Sequence, residues 1–116
     1  MIIYNNVEEF IALKPRYYKF LKAFKLTRNV SQDECSKYEL EFVLSKISND
    51  AIEDLQIRCI NVFDINIKCI EGMFGLMVNI ENISSRQLEG GTYRVSEEEE
   101  GAFSFYCEEF FAEIIK

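Results

Sequence analysis

The period of the hydrophobic pattern constrains this chain most tightly. From Lys37 onward, apolar and polar residues alternate every second position. In "KYELEFVL", Tyr38, Leu40, Phe42 and Leu44 alternate with Glu39, Glu41 and Val43. "LQIRCI" sets Leu55, Ile57 and Cys59 against Gln56 and Arg58, and "FDINIKCI" sets Phe63, Ile65, Ile67 and Cys69 against Asp64, Asn66 and Lys68. "GLMVNIENI" alternates Leu76, Val78 and Ile80 with Met77, Asn79 and Glu81. "TYRV" reads as a further short strand, and "AFSFYC" puts Phe103, Phe105 and Cys107 on one side. Successive side chains of a strand point to opposite faces, so this is the pattern of half-buried antiparallel strands. Turn signals separate the runs at Ser48-Asn49-Asp50, Glu71-Gly72, Ser84-Ser85 and Gly90-Gly91, and the short connections favour a meander. The tail "CEEFFAEIIK" either extends the last strand or ends in a short helical turn.

The N-terminal segment follows a different period. "PRYYKFLKAFKL" places Tyr17, Phe20, Leu21 and Phe24 at i, i+3, i+4 and i+7, the spacing of one helical stripe. Pro15 suits a first helical turn. Asn5 or Asn6 caps an earlier helix over Val7 to Leu13, ended by the restriction on the residue before proline. Asp50-x-x-Glu53 and Ser96-x-x-Glu99 also match capping boxes. The expected fold class is α+β: an antiparallel sheet of five to seven strands with one or two N-terminal helices packed on one face. Residues 1–116 form a single domain, with 1–28 helical and 36–111 mainly antiparallel strands. Such a chain buries about two-thirds of the surface it exposes when unfolded, enough for one core.

Residue content narrows the chemistry. The chain has no histidine, which removes the Ser–His and Cys–His nucleophile pairs, the commonest general base and most zinc ligand sets. It has no phosphate-binding G-x-x-x-x-G-K-[ST] and no G-x-G-x-x-G after a strand. "DINIK" has the wrong spacing for a metal-nuclease triad. The four cysteines, Cys35, Cys59, Cys69 and Cys107, form no C-x-x-C pair and read as buried thiols rather than disulfides or a zinc site. No enzyme activity, cofactor or metal is expected. No stretch approaches the roughly 20 apolar residues of a membrane span, and the start lacks the pattern of a signal peptide, so the expected location is cytoplasmic.

Charge is uneven. The net value is -7. Residues 1–28 hold six basic groups and two acids, a balance of +4; residues 29–116 hold seven basic groups and eighteen acids, a balance of -11. The lysines and arginines of the first segment read as the solvated face of a helix on an acidic sheet. The acidic body argues against nucleic acid as a direct partner and for a basic protein. "SEEEE" is either a solvated hairpin loop or part of an interface. The acidic bias continues beyond it, and complementary fields raise association rates. The candidate partner-binding residues are therefore Glu97, Glu98, Glu99 and Glu100, with Glu108, Glu109, Asp64 and Glu71. Tyr93 and Tyr106 are candidate anchors.

The stretch "LQIRCINVFDINIKCIEGMFGLMVNIENI", followed by "YRVSEEEEGAFSFYCEEF", resembles small bacterial immunity proteins of polymorphic toxin systems, including those of contact-dependent growth inhibition. The likeness covers roughly residues 55–111. It implies a cytoplasmic, non-enzymatic protein that binds one cognate toxin domain, often a basic nuclease, and blocks its active site or substrate surface. Carboxylates would then stand in for nucleic-acid phosphates. The competing reading is an acidic interaction module or nucleic-acid mimic with another basic partner. A monomer is expected.

Overall fold

The computed structural model describes residues 2–30, 37–48, 51–68, 75–84, 92–99 and 101–115. Eight strands form a mostly antiparallel, curled sheet: β1 (Ile2–Tyr4), β2 (Phe20–Asn29), β3 (Lys37–Ser48), β4 (Ala51–Ile67), β5 (Val78–Asn82), β6 (Tyr93–Glu97), β7 (Phe103–Cys107) and β8 (Glu109–Ile115). The helical content is one short helix, α1 (Val7–Ala12), and a 3-10 turn at Pro15–Tyr17. The strand order is β1-β8-β4-β7-β6-β5, with β3 on the other edge of β4 and β2 outside β3.

The bend in β4 organises the sheet. "LQIRCI" and "FDINIKCI" are two halves of this one strand. Its first half pairs with β8 from Asp54↔Ile115 to Ile60↔Glu109, and its second with β7 from Phe63↔Tyr106 to Ile67↔Phe103. Asn61 (φ 57°), between them, and Asp64 (φ 52°), just past Phe63, adopt the left-handed conformation. Asn and Asp enter that region more readily than other side-chain-bearing residues. The register slips on both sides of the corner, between Phe63 and Asn66 against β7 and between Tyr38 and Glu39 against β3. β7 and β8 bend at the same line, where the Glu108 N–H donates to the Ile60 carbonyl at 3.0 Å. Bulges of this kind let strands turn a corner and pass from one sheet layer to another.

The inner faces of the two layers meet in the core. Phe42, Phe103 and Phe105 are fully buried, with the Phe42 ring 5.4 Å from Phe103 and 6.4 Å from Phe105. Leu40, Leu44, Leu55, Ile57 and Cys59 extend this face along β3 and β4. Cys59 and Cys107 are free, buried thiols, and burial holds the Cys59 thiol well above its ordinary pKa. Cys35 and Cys69 lie outside the described residues.

The N-terminal segment differs from the sequence expectation. The short helix is as read: the Asn6 side chain caps α1 by accepting from the Glu9 N–H at 3.0 Å, and Phe10 packs edge-to-face on Phe110. The long helix from Pro15 is not present; after the 3-10 turn the chain enters β2. The cause is a bulge between Leu21 and Ala23. It inserts one residue into the period of two, so Leu21 and Phe24, three apart, both face the core and imitate a helical stripe. Ser96 lies within β6 rather than at a helix start. The tail is a full strand, and β1, which had no sequence signal, pairs with it. Eight strands therefore replace the expected five to seven.

Two consequences can be measured. Phe42→Ala should lower stability by about 3–5 kcal/mol in urea unfolding, the range for a buried aromatic truncated to alanine; a loss under about 1 kcal/mol would mean the ring is not central to the core. Tyr18 is buried, donates to Glu53 at 3.1 Å, and has its phenol pushed up to about 12, mainly by burial and then by that bond. The folded chain thus holds a proton that the unfolded chain releases near its ordinary 10. This stabilisation is full below pH 10 and is lost as pH rises through 12. Tyr18→Phe should flatten the fall in stability over that window.

Candidate functional site

The two layers turn two outer faces to solvent. On the second layer, one cross-strand row runs Phe63, Tyr106, Arg94, Glu81, and the next runs Asn66, Ser104, Ser96, Asn79. Tyr106 stacks on Phe63 at 5.5 Å and is half-buried. Arg94 pairs with Glu81 at 3.6 Å. A polar depression of about 290 Å³ opens here among Asn66, Lys68, Arg94, Ser96, Glu98 and Ser104.

The candidate residues separate into distinct environments. Glu97 is only 3% exposed. One carboxylate oxygen accepts from the Met77 N–H at 3.3 Å and the Glu99 N–H at 2.8 Å, the other from the Ala102 N–H at 3.1 Å. It fastens the β6–β7 connection to the start of β5, and so faces the protein interior. Tyr93 also points inward, sharing a face with Val95; its ring lies edge-on to Phe110 at 4.9 Å and its hydroxyl donates to the Asn5 carbonyl at 3.0 Å. Burial raises the Tyr93 phenol above its ordinary pKa.

The remaining acids are more accessible. Glu98 and Glu99 are exposed; Glu98 accepts from Ser96 at 3.2 Å and Asn79 at 3.4 Å. Glu108 and Asp64 are exposed at the corner, where Asn61 donates to Glu108 at 2.8 Å. The structure therefore gathers Asp64, Glu108 and Tyr106 about one bend. Glu109 stands on the outer face of the first layer and accepts from the Tyr4 hydroxyl, which raises the Tyr4 pKa. Glu100 and Glu71 lie outside the described residues.

Sequence reasoning passed over that outer face of the first layer. Register places Tyr4, Phe111, Arg58, Glu41 and Lys25 in one row across five strands. Arg58 sits 4.8 Å over the Phe111 ring and bonds Glu39 at 3.0 Å, while Tyr4 and Phe111 are 4.9 Å apart. A signal was present: Ile52 and Ile60 occupy positions of β4 whose parity should be polar.

Among the described residues there is no group of three or more carboxylate, thiol or imidazole side chains able to hold a metal ion. No helix among them is long and apolar enough to cross a membrane. Comparison with known families decides what kind of chain this is. The family model described as Immunity protein PIM8 matches residues 1–113. The chain belongs to this family. It is an immunity protein of a polymorphic toxin system, a class that binds and neutralises a cognate toxin and is generally non-enzymatic. No curated protein and no solved structure matches the chain.

The Glu97 bonds carry a prediction. Glu97→Ala leaves three backbone N–H groups without their carboxylate, and charge-assisted bonds of this kind contribute about 1.5–3 kcal/mol. The variant should lose about 3 kcal/mol in urea unfolding, whereas Glu99→Ala should stay within about 0.5 kcal/mol of the parent. Equal effects would refute the structural role of Glu97.

Proposed function

We propose that this immunity protein neutralises a toxin whose catalytic domain is a basic nuclease, acting in the cytoplasm as a monomer. Membership of an immunity family supports the toxin partner. The observation that carries the nuclease reading is the set of exposed carboxylates at Asp64, Glu98, Glu99 and Glu108 on a chain of net charge -7. A nuclease must hold a polyanion, so its substrate groove is lined with Lys and Arg. Carboxylates presented by an inhibitor compete for those cations. Exposed charge of this kind acts first on the association rate, because it steers encounter over distances up to the Debye length. Arg94 and Lys68 share a depression with Glu98, which gives the surface a pattern rather than a uniform field.

The test uses the inactivated toxin domain encoded beside this chain's gene. The variant combining Asp64→Asn, Glu98→Gln, Glu99→Gln and Glu108→Gln should slow association about tenfold at low salt. That difference should shrink toward unity near 0.5 M salt, where screening is short-ranged. An association rate equal to that of the parent at every salt concentration would remove these acids from the interface. A toxin domain with an acidic surface would remove the nuclease reading.

A further inference from the structure

We propose that the outer face of the first layer is the surface that anchors the toxin, and that the depression beside Arg58, Phe111 and Glu113 receives one of its basic side chains. The proposal rests on the toxin-binding reading and adds the site of tight contact.

The argument begins with what covers the sheet. Core packing consumes the inner face of β1, β8, β4, β3 and β2, and α1 sends its buried residue, Phe10, to that same core. The opposite parity of each strand faces solvent. There Ile2 is 61% exposed, Tyr4 51%, and Ile47 and Ile52 64% each. Single exposed apolar residues need no explanation, but these are linked by register. Ile47 lies opposite Ile52. Exposed Phe20 and Ile115 bracket Ser45 and Asp54 in another row. Tyr4 and Phe111 adjoin Arg58. These exposed apolar residues, interleaved with charged ones around a Tyr–Phe–Arg centre, have the composition of a binding hot spot.

Charge selects the occupant. The face carries the carboxylates of Glu39, Glu41, Asp54, Glu109 and Glu113 against the cations Lys22, Lys25, Lys37 and Arg58, leaving one negative charge. Arg58 is engaged by Glu39, Lys22 by Asp54, and Glu41 accepts from Gln56. Glu113 has no hydrogen-bond or ion-pair partner among the described residues, and it borders a depression of about 230 Å³ with Ile2, Gln56, Arg58 and Phe111. A Lys or Arg side chain entering there lays its aliphatic stem on Ile2 and Phe111 and brings its charge to Glu113. With the other carboxylates of the face engaged within the chain, Glu113 is the one left to meet a cation, and the basic toxin is the partner that brings it.

The experiment measures dissociation of the inactivated toxin domain encoded beside this chain's gene from the parent chain and from Tyr4→Ala, Arg58→Ala, Glu113→Gln and Ile52→Glu. Each variant is first checked for an unchanged urea midpoint. Ile11→Ala, exposed on α1 and off this face, is the control. Tyr4→Ala and Arg58→Ala should each speed dissociation at least tenfold, Glu113→Gln severalfold, and Ile11→Ala not at all. If Tyr4→Ala fails to fold, Ile52→Glu at the far end of the face carries the same expectation. Parent-like dissociation by every variant overturns the proposal while leaving toxin binding intact. A parent that binds no toxin overturns the functional reading and this one with it. If the free chain dimerises and Tyr4→Ala abolishes the dimer without affecting toxin binding, the face belongs to a second copy and the proposal fails.

Discussion

The architecture depends on two residues of β4 that hold the left-handed conformation. Asn61 and Asp64 let a seventeen-residue strand change partners partway along its length. β7 and β8 turn with it, fixed at the bend by the Glu108 N–H to Ile60 carbonyl bond and by the Asn61 side chain on the Glu108 carboxylate. Without that corner the sheet would present its apolar parity to water. With it, the two halves fold toward each other, and Phe42 of the first layer reaches Phe103 and Phe105 of the second. The side chains at the bend are short and polar because the backbone there, not the packing, sets the requirement.

Folding the sheet over its own core leaves an outer face on each layer, and the two differ chemically. The second is polar, with Ser, Asn and Arg in register and exposed acids at its margins. The first is apolar and aromatic with paired charges. Steering and residence are separate physical tasks: the first uses exposed charge acting at a distance, the second needs surface that can be desolvated. The two faces differ in which of these tasks their chemistry would suit.

The run of glutamates is divided between two environments. Glu97 is an internal acceptor for three N–H groups, and its neighbours Glu98 and Glu99 face outward. The alternating parity of β6 continues through Glu97, which puts it on the same side as Val95 and Tyr93. Adjacent identical residues thus receive opposite environments from the period of the strand.

Much of the fold was legible locally. The alternation in β3, in the first half of β4, and in β5 and β7 names the strands and their inner residues, because a period of two has one geometric meaning in an antiparallel sheet; past the corner the register shift puts Val62 inside and Phe63 outside, against the alternation read for that half. The Asn6 cap was legible because its chemistry is contained within four residues. Three things were not. The bulge at Leu21 to Ala23 shifted the parity of β2 and gave it a helix-like spacing, a register effect visible only against β3. β1 is three residues long and exists through its pairing with β8. The joining of Tyr4, Phe111 and Arg58 from three distant segments into one centre came from strand order. The sequence by itself thus determined a mainly antiparallel, acidic chain without histidine. Tertiary structure decided which faces meet water, since that follows from partners far apart in the chain rather than from any local period.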